Sequence, residues 1–217
     1  MNSNFRNILA MTVFAAAFFA LFPSLRAGSE LEELGNTMAH FYENPSEKAF
    51  EKFQKDIANF DSFFKSRPQP TMLVAVFIAK TSEKYGYPIM ESPFAEMAAR
   101  VSDPKSKIGK FVNDDKEVSP TKLDVWWACF SATGDDKYLE KIFGFVGRDM
   151  DKDRNVSHLL IYGAANWSFK SNCRQHDKVM KFAKAKLEKG KLSPSQKKFL
   201  ESCVNQKDDK KEKPATP

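Results

Sequence analysis

The chain of 217 residues holds only three cysteines, Cys129, Cys173 and Cys203, and three histidines, His40, His158 and His176. No C-x-x-C spacing or Cys/His cluster joins them, so the ligand pattern of a structural zinc is missing and no cofactor is expected. A glycine-rich phosphate loop, a G-x-S-x-G elbow and an H-E-x-x-H pair are also lacking, which removes the usual sequence signatures of nucleotide binding and hydrolysis. Nor does a convincing period-two alternation occur, so nothing points to a half-buried strand.

What is present begins with an address. Met1 to Arg6 is short, polar and carries one basic residue, Ile8 to Phe22 is an almost unbroken apolar run, and Pro23 to Ala27 ends on a small residue. That is the layout of a secretory signal, with cleavage expected after Ala27. The run of 15 residues is shorter than the roughly 20 a membrane-spanning helix needs. No cysteine follows it to accept a lipid. The reading is therefore signal peptide 1–27, one all-helical domain 28–206 and a disordered charged tail 207–217, in an exported, periplasmic or secreted protein without a transmembrane segment in its mature chain.

After that cleavage, 32 basic and 28 acidic side chains leave a net +4. The total hides an asymmetry. Residues 28–176 carry 20 basic and 22 acidic groups, whereas 177–201 carry 8 and 3, a net +5.

Apolar residues recur every three or four positions through the mature sequence, the period of helices that bury one face. Leu31, Leu34, Met38 and Phe41 fit a first helix, and Phe50, Phe53, Ile57, Phe60 and Phe64 a second opened by Asn44-Pro45. Pro68-Gln69-Pro70 reads as a break before a very apolar, central helix from Thr71 to Tyr85. Ser119-Pro120 and Ser193-Pro194 open further helices, and Gly134 closes the Trp-rich one. The fold class is all-α, about nine helices in an antiparallel hairpin array, either a short solenoid-like stack or a closed bundle.

Four stretches invite a chemical reading. Asp149 to Asn155 places oxygen ligands at positions 1, 3, 5 and 7 of a calcium-type loop, but Arg154 stands where the turn needs glycine and Leu160 where a glutamate closes the site. A solvated connection with Asn155 capping the next helix is the simpler reading. Leu123-Asp124-Val125-Trp126-Trp127 offers a single carboxylate near a helix N-terminus, and a paired-carboxylate site would need Asp135 or Asp136 as partner.

Trp167 to His176 gathers Ser168, Asn172, Cys173 and His176, a nucleophile and base if one helix brings them to one face. The structural alternative makes Asn172 and Gln175 a helix cap, packs Trp167 in the core and cross-links Cys173. Cys129 lies in an apolar run as a buried thiol, leaving Cys173 and Cys203, at matching distances from the 189–192 bend, as the expected disulfide. Lys178, Lys181, Lys184, Lys186 and Lys189 make the fourth stretch, a basic helix suited to an acidic protein or an anionic envelope surface. Nucleic acid is a poor partner for an exported protein.

Tyr42-Glu43-Asn44-Pro45, Leu123 to Trp127 running to Ala132-Thr133-Gly134-Asp135, and Trp167 to Asn172 with His176 together resemble a group of uncharacterised bacterial secreted helical proteins. The resemblance spans residues 40–190 and implies an all-α fold and bacterial export, with no assigned catalytic residues. The expectation is a non-catalytic exported protein that binds a macromolecule. The alternative is a small hydrolase using Ser168, Asn172, Cys173 and His176.

Overall fold

The computed structural model describes residues 28–149 and 155–205. The expected signal segment 1–27, residues 150–154 of the calcium-like loop, and the tail 207–217 lie outside the described residues. All regular structure among the described residues is helical, and none of these helices is long and apolar enough to cross a membrane. The chain divides into two compact units, Met1–Tyr138 and Leu139–Pro217.

The first unit contains α1 (Gly28–His40), a 3-10 turn (Phe41–Glu43), α2 (Glu47–Ala58), α3 (Asp61–Lys65), α4 (Pro68–Tyr85), α5 (Ala95–Ser102), α6 (Lys107–Asn113) and α7 (Pro120–Thr133). Helix α8 (Asp136–Phe143) carries the division between the units. The second unit continues with α9 (Val156–Gln175), α10 (Asp177–Lys189) and α11 (Pro194–Asn205). The described residues form eleven α-helices, close to the expected nine or so, and one of the additional ones arises because the second expected helix breaks at Asn59-Phe60. There the amide of Phe60 turns back to Ile57, and α3 restarts.

Local chemistry explains most boundaries. Ser46, rather than Asn44, caps α2, its hydroxyl accepting from the amide of Ala49 at 3.2 Å. Ser119 accepts from Lys122 and is followed by Pro120 at the first helical position, where a missing amide costs nothing. Pro68 and Pro70 do not precede α4 but form its first turn, for the same reason. Gly134 ends α7 at φ +66°, a left-handed backbone that glycine adopts without strain. Ser193 and Gln196 form a reciprocal capping box at α11, each side chain meeting the other's amide at 3.2 Å.

Helix α4 is the centre of the first unit. Nine consecutive residues, Leu73 to Thr81, are buried, so it is surrounded on all sides, and its most extensive packing is against α7. Around Phe77 gather Phe41 at 5.4 Å, Phe53 at 4.9 Å and Phe50 at 6.4 Å between ring centroids. Each such pair contributes about 0.5–1.5 kcal/mol beyond its area burial.

A buried cation fixes α6 nearby. Lys122 is 0% exposed, and its Nζ donates to the carbonyl oxygens of Phe111, Val112 (3.0 Å) and Asp114 (2.6 Å). These are carbonyls a helix leaves without an internal partner at its C-terminal end, where positive charge is favoured. Sequence periodicity gave no sign of this lysine's place.

In the second unit, α9, α10 and α11 all pack on one another. Ile161, Ala165, Phe169 and Cys173 of α9 meet a core that includes Val179, Met180, Ala183, Leu200 and Cys203, all buried. Phe169 lies 6.2 Å from Phe182 and 6.5 Å from Phe199.

Candidate functional site

The lysines of α10 are sorted by helix geometry. At 100° per residue, Lys178, Lys184 and Lys189 fall within about 80° of Lys181, whereas Lys186 points roughly 140° away. The structure makes the same separation. Lys181, Lys184 and Lys189 are exposed and no described acidic side chain pairs with them, and Lys178 is half-buried. Lys186 instead meets Glu140 at 2.7 Å, with its Nζ 5.5 Å and 5.2 Å from the centroids of the Phe143 and Phe182 rings. Its charge is engaged inside the unit. The basic face is thus Lys178, Lys181, Lys184 and Lys189, opposite the buried stripe Val179, Met180 and Ala183.

The residues of the hydrolase alternative are committed to the fold. One helix does run through the segment: α9 continues to Gln175, so Asn172 and Gln175 are not the expected cap. Asn172 Nδ2 donates to the Ser168 carbonyl at 2.9 Å, and Gln175 Nε2 to Ser171 Oγ at 2.9 Å. Ser168 is buried and its hydroxyl donates to Ala165 O at 3.3 Å. Cys173 and His176 are buried as well. A nucleophile must reach substrate, and Ser168, Cys173 and His176 are all buried, while Asn172 is half-buried.

The expected Cys173–Cys203 disulfide is corrected. None of the three cysteines is joined in a disulfide, and all are buried. Cys173 belongs to α9 and not to the hairpin helix α10, yet it meets Cys203 of α11 and hydrogen-bonds it. That contact, helped by Lys170, Ser202 and Arg174, holds the Cys203 thiol below its ordinary range against the opposing effect of burial. The two sulfurs meet as thiols.

Asp124 is not paired with either carboxylate that a two-carboxylate site would require. It is buried in α7 and accepts from Gln69 Nε2 at 2.9 Å, joining α7 to the first turn of α4. Burial pushes its carboxyl up to about 8, with the Gln69 bond opposing. Asp135 pairs with Lys84 at 2.7 Å and stands 4.0 Å from Lys137. Of the calcium-like loop, Asp149 and Asn155 are described, and Asn155 caps α9 as expected, accepting from the Ser157 amide at 2.9 Å.

A second correction adds a surface. Trp167, expected in the core, is 41% exposed, and Val156 on the same helix is 63% exposed. Leu160 between them is half-buried, and a Cβ built on Gly163 would meet nothing within 4 Å. The spacing 156, 160, 163, 167 is that of one helix face, a signal present in the sequence, where Trp167 alone is assigned, and to the core.

No known protein family, characterised protein or solved structure matches this chain. The class the molecule defines is an all-α protein with a basic helix face.

Proposed function

We propose that this chain is an exported, non-catalytic helical protein of the bacterial envelope that adheres to an anionic surface through α10. The observation that carries the reading is the grouping of Lys178, Lys181, Lys184 and Lys189 on one face of α10, with three of them exposed. Support comes from charge distribution: residues 139–217 hold 18 basic and 10 acidic groups, a net +8. A field of one sign raises the local concentration of the opposite one. Export rests on the signal layout of residues 1–27 and on the resemblance to secreted bacterial proteins, and intact mass of the exported protein tests it by the loss of those residues.

Each lysine near an anionic lipid surface contributes about 1 kcal/mol. Replacing Lys181, Lys184 and Lys189 by glutamine should therefore weaken sedimentation with phosphatidylglycerol vesicles about a hundredfold at low salt. Unchanged sedimentation would reject the reading.

A further inference from the structure

Helix α9 is apolar on two opposite sides. Ile161, Ala165, Phe169 and Cys173 face the core of the unit, as an amphipathic helix requires. The other side should then be polar, yet its axis runs through Val156, Leu160, Gly163 and Trp167. Taking Trp167 as zero at 100° per residue, Val156 lies near −20°, Leu160 near +20° and Gly163 near −40°, so the four form one stripe about 16 Å long. The stripe does not end at Trp167. Lys170 and Arg174 continue it, near −60° and −20°, the first half-buried and the second exposed.

A tryptophan at the margin of an apolar stripe, followed on the same face by two cations, matches the layering of a membrane interface. The ring sits among acyl chains and glycerol, and long basic side chains reach the phosphates. Charge also argues against a second copy as the cover, since an isologous pairing through α9 brings together two units of net +8. Resting on the adhesion proposed above, we infer that the α9 stripe of Val156, Leu160 and Trp167 inserts into the interface of an anionic lipid bilayer, with Lys170 and Arg174 at headgroup level. The α10 lysines bring the protein to the surface, and α9 anchors it.

The tryptophans make the test specific. Trp126 and Trp127 are buried, and residues 1–27 contain no tryptophan, so contact of indole with lipid reports Trp167. The whole chain, as recovered from producing cells, is mixed with vesicles of phosphatidylglycerol and phosphatidylcholine with and without brominated acyl chains, and sedimentation is measured in parallel. The inference expects quenching of part of the emission by brominated lipid. Trp167→Ala should abolish that quenching and weaken partitioning roughly tenfold, and Val156→Gln should weaken it less. Both sites are exposed, and an unchanged far-UV circular dichroism spectrum of each variant excludes misfolding as the cause.

Sedimentation without quenching would overturn the inference while leaving adhesion through the lysines intact. Absence of sedimentation would overturn both. Binding of an acidic amphipathic peptide that changes Trp167 emission, with no quenching by vesicles, would make the stripe a protein-docking face and overturn the lipid assignment.

Discussion

The two units use charge in opposite ways. Residues 28–138 hold 14 basic and 18 acidic groups, a net −4, and several of their polar side chains are turned inward. Lys122 holds the end of α6, Asp124 joins α7 to α4, and Gln54 bridges the Pro88 carbonyl and the Met90 amide at 3.1 Å and 2.9 Å. Residues 139–217 carry net +8, and the lysines of α10 mostly face solvent. Buried polar groups with satisfied partners specify how helices meet. Solvated charges of one sign contribute little to folding and much to long-range attraction. Architecture thus rests on the buried polar groups of the first unit, and the proposed adhesion calls on the solvated charges of the second.

The largest effect should come from exchanging a lysine in each unit. Lys122→Met strips three carbonyls of their donor and should cost about 3 kcal/mol or more in a denaturant titration. Lys181→Met should stay within about 0.5 kcal/mol. Equal costs would erase the distinction.

Asp124 gives the first unit a pH signature. Its carboxyl is raised in the folded protein from 3.8 to about 8, so the folded state holds a proton that the unfolded state releases. The stability from this site is complete below pH 4 and is lost as pH rises towards 8, at no more than about 1.4 kcal/mol per pH unit. Asp124→Asn keeps an acceptor for Gln69 and should remove that slope, as stability measured from pH 5 to 8 would register. A slope that persists would assign it to other groups.

Two glycines sharpen the contrast on a smaller scale. A Cβ on Gly109 of α6 would stand 1.9 Å from the Asp103 carbonyl oxygen, so Gly109→Ala forces backbone apart and should cost about 1–3 kcal/mol. On the open stripe of α9, Gly163→Ala meets nothing and should stabilise by up to about 1 kcal/mol through helix propensity. Thermal unfolding of the two variants should shift in opposite directions.

The all-helical class was legible because Leu31, Leu34, Met38 and Phe41, and later Phe50, Phe53 and Ile57, keep the helical period and are all buried. Caps built from neighbours in sequence, such as Ser119-Pro120 and Asn155, were equally readable. Groups whose partners lie far along the chain were not. Nothing near Lys122 announces that its amine reaches the end of α6, and Gln69 lies 55 residues from Asp124. Trp167 failed differently, since an apolar residue at helical spacing is assigned to the core by default, and α9 carries such residues on both sides. Within the lysine group, Lys186 is turned to Glu140, and its angular position was enough to separate it.

The central claim is that attraction to an anionic surface belongs to α10 and not to basic residues in general. Exposed lysines in the first unit supply the control: Lys105, Lys107 and Lys110 also form a group of three. The decisive measurement is vesicle binding at low salt of two triple glutamine variants, one at Lys181, Lys184 and Lys189 and the other at Lys105, Lys107 and Lys110. A loss of about a hundredfold in the first, with a change within about twofold in the second, is the predicted result. Equal losses in both would contradict the claim, because they would make adhesion a property of net charge alone.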